Sequence, residues 1–349
     1  MQVGFFIQKE MLHILRDRRT MLVVLVIPLM LIMLFGFTVT TDVNNIKVMA
    51  CAPHRSHAVV ESIERLEANP YFDFCGFVEH RDIDRTLRTG QAAAVVVFAD
   101  DYATSGRFQL LLDGADVNTA STAQAYLQQV LTQTNNQAIS IHMLYNPQMK
   151  SSFNFVPGIM GMIFLLICAM MTSISIVKEK ETGTMEVLLV SPVKPAYIII
   201  SKMVPYLLLS FIDLVIILVL AYFVLEVPMA GGVENIVLVA VLYLVLALAL
   251  GMMVSNVVES QIAALLISAM VMLMPVLFFS GLLFPPENLP WALRWITYVV
   301  PARWYIDAMR KLMIEGVDLR GVALEVGVLL FETAVLLAAS VRKFKDRLE

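Results

Sequence analysis

The chain has 349 residues, of which 59% are hydrophobic and only 15% charged, and its mean hydropathy is +0.77. Soluble domains carry about 25% charged residues, so this balance excludes an ordinary soluble protein and points to an integral membrane protein. The net charge of −4 is segregated along the chain without a basic block for nucleic acid, and neither a zinc-knuckle framework nor a His-x-x-x-His pair occurs among three cysteines and five histidines.

Residues 1–20 set Val3, Phe6, Ile7, Met11, Ile14 and Leu15 at helical spacing against Gln8, Lys9, His13 and Arg16. The pattern predicts an amphipathic helix lying along a bilayer surface. Arg16, Arg18 and Arg19 lead into the apolar run 21–39, and about 20 residues suffice to span. The long charged lead and the lack of an Ala-x-Ala-like site argue against a cleaved signal peptide. The arginines predict a cytoplasmic N-terminus by the positive-inside rule.

Residues 42–155 change character. Strands are expected at 46–52, 71–78, 92–98 and 108–112, with helices at 58–67, 83–88 and 120–144. Such alternation predicts a small α/β domain, and the orientation of the first span puts it outside the cytoplasm. Cys51 and Cys75 fall near two of the strands, as a candidate disulfide in an oxidising compartment or as two buried thiols.

Further spans are expected at 156–177, 196–225, 236–254, 262–283 and 322–341. The fold class is therefore a mainly α membrane protein, with six transmembrane helices and an inserted α/β extracytoplasmic domain. Lys178, Lys180, Lys194 and Lys202, and the tail 342–349 with Arg342, Lys343, Lys345 and Arg347, then share the cytoplasmic side. The segment 284–320 holds Trp291, Trp295 and Trp304 together with Arg294, Arg303, Arg310, Lys311 and Arg320. That mixture predicts amphipathic or re-entrant helices at the outer interface.

Ionisable groups inside spans cost about 2.5–3.5 kcal/mol each on insertion scales, which singles out Asp213, Glu325 and Glu332. Each either lines a polar pathway or bonds to a neighbouring helix; Glu325, nearer the interface, fits the second reading. The 22 methionines suit adaptable packing or varied apolar ligands better than metal transport. The chain contains neither Gly-x-x-x-x-Gly-Lys-Ser/Thr nor Gly-x-Ser-x-Gly, so it carries no P-loop of its own and no nucleophile elbow.

The loop 178–195 opens with a dense mixed-charge run, Lys178-Glu179-Lys180-Glu181-Thr182-Gly183-Thr184-Met185-Glu186. A short helix over 178–191 would put Glu179 and Glu186 on one face, with Met185, Leu188 and Leu189 as an apolar patch beside them. It would suit a groove on a soluble partner; a solvated loop with snorkelling lysines is the plainer alternative.

This run, followed by Leu188-Leu189 and Ser191-Pro192-Val193, resembles the signature loop of ABC-2-type exporter permeases. The segment after the fifth span is similar to that family's outer re-entrant segment, through Ser280-Gly281, Phe284-Pro285, Glu287-Asn288, Leu289-Pro290, Trp291, Trp295, Pro301, Trp304, Tyr305 and Arg310. Leu289 stands where methionine is frequent. Asp113-Gly114-Ala115-Asp116-Val117-Asn118-Thr119-Ala120 resembles the multidrug-exporter-like subgroup with a large domain between spans one and two.

The resemblance implies a transport subunit, not an enzyme, of the bacterial inner membrane. Lys178, Glu179, Lys180, Glu181, Gly183, Thr184, Glu186 and Leu188 would form the coupling helix that docks on a separate ATP-binding subunit. ATP and Mg would bind on that partner, and this chain would hold no cofactor. Two permeases, identical or sisters, would pair, with a periplasmic adaptor in some members. The substrate would be drug-like, amphipathic or lipid-like. Two other readings compete: an ion-coupled secondary transporter using Asp213 and Glu332, although no broken inverted repeats are apparent, and a membrane-anchored sensor with 42–155 as its ligand-binding part.

Overall fold

In the computed structural model the described residues are 2–38, 46–54, 56–113, 117–132, 150–184, 195–284, 286 and 289–345. They divide into two compact units, residues 1–39 with 152–349 and residues 40–151.

The smaller unit is a four-stranded sheet with helices. Its strands are β1 (Ile46–Cys51), β2 (Phe72–Phe77), β3 (Ala94–Phe98) and β4 (Phe108–Leu112), in the order β2-β1-β3-β4. β1 is parallel to both β2 and β3, and β4 closes the sheet antiparallel to β3. α3 (His57–Glu67) connects β1 to β2, and α4 (Ile83–Arg88) carries the chain back from β2 to β3 across β1. The two crossovers run in opposite directions, so a constant right-handed connection puts their helices on opposite faces.

The packing agrees. Ile46, Val48 and Ala50 of β1 and Ala94, Val96 and Phe98 of β3 share one core with Val59, Ile63 and Leu66 of α3. The alternate residues Cys51 and Val95 pack with Ile83 of α4, as the two-residue side-chain period of a strand requires. α5 (Tyr102–Ser105) leads into β4, and α6 (Val117–Thr132) adds Ala123 and Leu127 to the larger core. The remainder of the helix expected to 144 lies outside the described residues.

The larger unit is helical: α1 (Gln2–Arg16), α2 (Arg18–Thr38), α7 (Ser151–Glu181), α8 (Pro195–Phe223), α9 (Val233–Ser255), α10 (Gln261–Phe279), α11 (Trp291–Thr297), α12 (Pro301–Arg310), a π-helical turn (Lys311–Glu315) and α13 (Ala323–Lys345). Among the described residues, α7, α8, α9, α10 and α13 are long and apolar enough to cross a membrane. α2 has 21 residues but a shorter apolar stretch, Val24–Phe35.

Helices in lipid gain little from burying apolar surface against one another and depend on close packing and polar contacts. Gly251 of α9 lies so near α7 that a Cβ there would sit 2.4 Å from the Ala169 carbonyl oxygen. Gly161 of α7 receives Tyr305 of α12. Tyr305 stacks on Tyr243 at 4.1 Å between centroids, and the Tyr243 hydroxyl donates to the Gly161 carbonyl at 3.1 Å. These two fully buried tyrosines join α7, α9 and α12.

The charged run begins inside a helix: Lys178–Glu181 form the last turn of α7, Thr184 is helical again beyond Gly183, and the rest of the helix expected over 178–191 lies outside the described residues. Lysine and glutamate are good helix formers, so nothing stops the helix before Thr182. The Thr182 N–H reaches the Lys178 carbonyl at 3.0 Å, and the chain turns at Gly183 with φ +73°, the left-handed conformation that glycine adopts without strain.

Candidate functional site at the charged end of the bundle

The end of α7 meets the start of α2, the C-terminus of α9 and the N-termini of α8 and α10, as the alternating chain direction requires. α1 packs along α8 at this end. Three charged side chains from three helices converge here: Lys202 of α8 lies 2.9 Å from Glu179 of α7 and 3.7 Å from Glu10 of α1. All three are largely withdrawn from solvent, with side-chain exposures of 5%, 14% and 9%. Buried carboxylates persist as ions only when paired; Lys202 serves both, and the exposed Lys9 lies a further 3.5 Å from Glu10.

The next two residues of the run also reach neighbouring helices. The Lys180 ammonium donates to the carbonyl of Ser255, the last residue of α9. The Glu181 carboxylate accepts from the backbone N–H of Gln261 at 2.8 Å and from the Gln261 amide. Gln261 opens α10, where the Ser260 hydroxyl already accepts from the Ala263 N–H at 3.1 Å. Anionic oxygens at a helix N-terminus satisfy orphan donors and complement its dipole. Thus Glu179, Lys180 and Glu181 tie α7 to α1, α8, α9 and α10. Lys178, Gly183 and Thr184 are exposed at the tip; Glu186 and Leu188 lie outside the described residues.

The candidate pathway residues lie on two helices, Asp213 on α8 and Glu325 and Glu332 on α13. Asp213 is buried in α8 one turn from Ser210, whose hydroxyl contacts the Cys168 thiol at 3.1 Å. Glu325 is ion-paired with Lys311 at 2.6 Å. Glu332 keeps a buried carboxylate oxygen with no hydrogen bond among the described residues.

At the opposite end, Pro285 and Glu287 lie outside the described residues. Pro290 precedes α11, whose Trp291 and Trp295 are exposed. Pro301 opens α12, where its missing N–H costs nothing. The Trp304 indole N–H donates to the Tyr298 carbonyl at 3.0 Å, and the Arg303 guanidinium lies 4.3 Å over the Tyr298 ring. Arg310 donates to the Gly281 carbonyl at 2.9 Å. Burial pushes the Asp307 carboxyl up, and Arg310 and Arg303 pull it back.

The Cys51–Cys75 disulfide is not formed. Cys51 is a buried free thiol and Cys75 an exposed one. Register breaks between Val48–Phe74 and Ala50–Phe77, so Cys75 sits in an irregular stretch. Burial raises the pKa of Cys51; burial, then the Asp73 charge, raises that of Cys75.

Sequence reasoning missed Glu10, Ser255 and Gln261 as partners of the run, and took Lys202 only as a flanking charge. Glu10 left a signal, since it interrupts the apolar stripe between Ile7 and Ile14. Lys202 also stands well inside an apolar run.

The fold defines a polytopic helical membrane protein with a small inserted α/β unit. The family model described as "ABC-2 family transporter protein" matches residues 18–342, and the chain belongs to that family. It is similar to two Escherichia coli K12 proteins named "Probable multidrug ABC transporter permease". YbhR is 27% identical, with 98% of this chain and 97% of YbhR covered; YbhS is 25% identical, with 88% and 87% covered. "ABC transporter G family member 20" of Dictyostelium discoideum is 29% identical over 50% of this chain and 24% of its own length.

Proposed function

We propose that the chain is the membrane-spanning subunit of an ATP-driven exporter, with six spans, both termini in the cytoplasm and residues 42–155 outside it. ATP and Mg bind a separate ATPase subunit, and two permeases, identical or sister chains, pair to enclose the pathway in a bacterial inner membrane. The cargo is drug-like, amphipathic or lipid-like, in keeping with the printed names of YbhR and YbhS. A periplasmic adaptor is a further partner.

One observation carries the coupling role. The exposed tip Lys178-Thr182-Gly183-Thr184 continues directly from a helix whose last turn is tied to four others. A partner pushing on this tip loads those helices together, which an isolated flexible loop would not allow.

Glu179 is buried in the bundle and Glu181, though exposed, is bonded to Gln261, so the docking test belongs on the free part of the tip. Lys178→Glu combined with Thr184→Arg should abolish co-purification of the ATPase and ATP-dependent transport while leaving the melting temperature within a few degrees. Retention of both activities would refute coupling through this tip. Transport that survived without ATP but collapsed with the proton gradient would instead support ion coupling through Asp213 and Glu332.

A further inference from the structure

We infer that the connection between α9 and α10, residues 256–260, is a second part of the surface that meets the ATPase subunit. Two consecutive residues of α7 hold its two ends. Lys180 donates to the carbonyl of Ser255, just before the connection. The Glu181 carboxylate accepts from the N–H of Gln261, just after it, at 2.8 Å. The connection is also fixed from within. The Asn256 and Val257 N–H groups reach the Met253 and Val254 carbonyls at 3.2 and 3.0 Å, and the Ser260 carbonyl accepts from the Ala264 N–H at 2.9 Å. Ordering a loop on binding costs affinity, and here the order is present before a partner arrives. A load on this connection therefore reaches α7 through the same turn that carries the tip.

The two segments offer opposite charges. The tip turns its hydroxyls onto its own backbone: Thr182 donates to the Lys178 carbonyl at 2.9 Å and Thr184 to the Glu179 carbonyl at 3.3 Å. Glu179, Lys180 and Glu181 are bonded to other helices. The Lys178 ammonium is left exposed, with no hydrogen bond or ion pair among the described residues. On the connection the Glu259 carboxylate is exposed in the same state. Val257, two residues before it, is 72% exposed.

The surface thus presents a cation from α7, and an anion with an apolar side chain from the connection. A partner that fits carries a carboxylate opposite Lys178 and a basic side chain beside an apolar one opposite Glu259 and Val257. A bilayer surface is the poorer occupant, because its anionic head groups repel Glu259.

This inference rests on the exporter reading, which supplies the ATPase. The purified chain would be reconstituted with the ATPase subunit that gives it ATP-dependent transport. A photo-cross-linking residue in place of Val257 should join the chain to that subunit, as should one in place of Thr184. One in place of Leu324, exposed at the opposite end, should not. Glu259→Lys should slow association several-fold in low salt and lose that effect in high salt, because exposed charges act mainly by steering the encounter. Glu259→Gln should fall between the parent and Glu259→Lys. Position 257 cross-linked to lipid, to a second permease or to nothing, with position 184 still joined to the ATPase, would overturn the inference and leave coupling through the tip intact. Association in low salt that ignored Glu259→Lys would overturn it as well. Silence at both positions during ATP-driven transport would remove the coupling role of the whole charged end, while the exporter reading stood. If no ATPase subunit confers transport, the exporter reading fails and this inference falls with it.

Discussion

The two ends of the membrane bundle are held together by different means. At the charged end the ties are side chains reaching between helices far apart in sequence: Glu10–Lys202–Glu179, Lys180 to Ser255 and Glu181 to Gln261. At the opposite end the backbone does much of the joining. The Gly231 N–H reaches the Leu312 carbonyl at 2.8 Å, and the Ala230 N–H reaches Met313 at 3.1 Å, stitching the α8–α9 connection to the π-helical turn. Main-chain stitching is short and insensitive to most substitutions, whereas long charged side chains swing with their helices. The first arrangement suits a part that must move as a linked set; the second suits a fixed closure.

The sharpest way to break this contrast is Lys202→Ala. It leaves Glu179 buried without its cation and Glu10 with only the exposed Lys9, 3.5 Å away, and removing one partner of a buried pair costs about 3–5 kcal/mol. Thermal unfolding of the purified protein should show a correspondingly large destabilisation. Adding Glu10→Gln and Glu179→Gln should recover much of the loss, because neutral side chains need no counter-charge. A Lys202→Ala protein as stable as the parent would mean that the cluster holds nothing together.

The matching change at the opposite end alters no charge. In Gly231→Ala the new Cβ would meet the Val317 and Leu312 carbonyl oxygens at 2.6 and 2.7 Å, both backbone atoms that cannot rotate aside. Overpacking of this kind costs about 1–3 kcal/mol. Hydrogen exchange should rise around Lys311–Glu315 and leave the charged end unchanged. Exchange that rose equally at both ends would erase the distinction.

How much of this was legible depended on whether the signal was periodic or paired. The strand 108–112 and the helix 83–88 carry their own patterns and appear with the expected bounds. The apolar runs likewise mark the five long helices. The Glu10–Lys202–Glu179 cluster was not legible, because no local pattern pairs Lys202 with a residue 192 positions away or with one 23 positions away on another helix. Glu10 and Lys202 nonetheless leave a trace, a charge where the surrounding pattern calls for an apolar residue. The extension of α7 through Glu181 was readable, since Lys-Glu-Lys-Glu favours helix and Gly183 is an ordinary stop signal. Its strong charge suggested a new element, whereas its first four residues finish α7 before the turn at Gly183.

Lys311–Glu325 offers a smaller test of the opposite end. The hydrogen bond to Glu325 raises the pKa of Lys311 against a partial lowering by burial. A cation with a raised folded-state pKa contributes stability that is fully present below its ordinary value, about 10.4, and lost as pH rises through the folded value. Lys311 is 37% exposed along its side chain, so Lys311→Met should cost only about 1–2 kcal/mol near neutrality. The gap between parent and variant should narrow above about pH 10 in equilibrium unfolding. A gap that stayed constant there would assign the effect to packing.

The smallest change returns to the run on α7. Glu181 and Ser260 both serve the N-terminus of α10, one from another helix and one as its own cap. Ser260→Ala should cost about 1 kcal/mol, and Glu181→Gln less, because that carboxylate is exposed and its amide replacement can still accept a hydrogen bond. The informative quantity is their coupling. Two caps on one helix end share a set of orphan donors, so losing the first makes the second more important, and the double variant should lose more than the sum of the singles. Residues in one network show coupling of about 0.5–3 kcal/mol, which a double-mutant cycle resolves. Strict additivity would mean that Glu181 does not bear on α10, and the tie from the α7 tip to that helix would then be absent in solution.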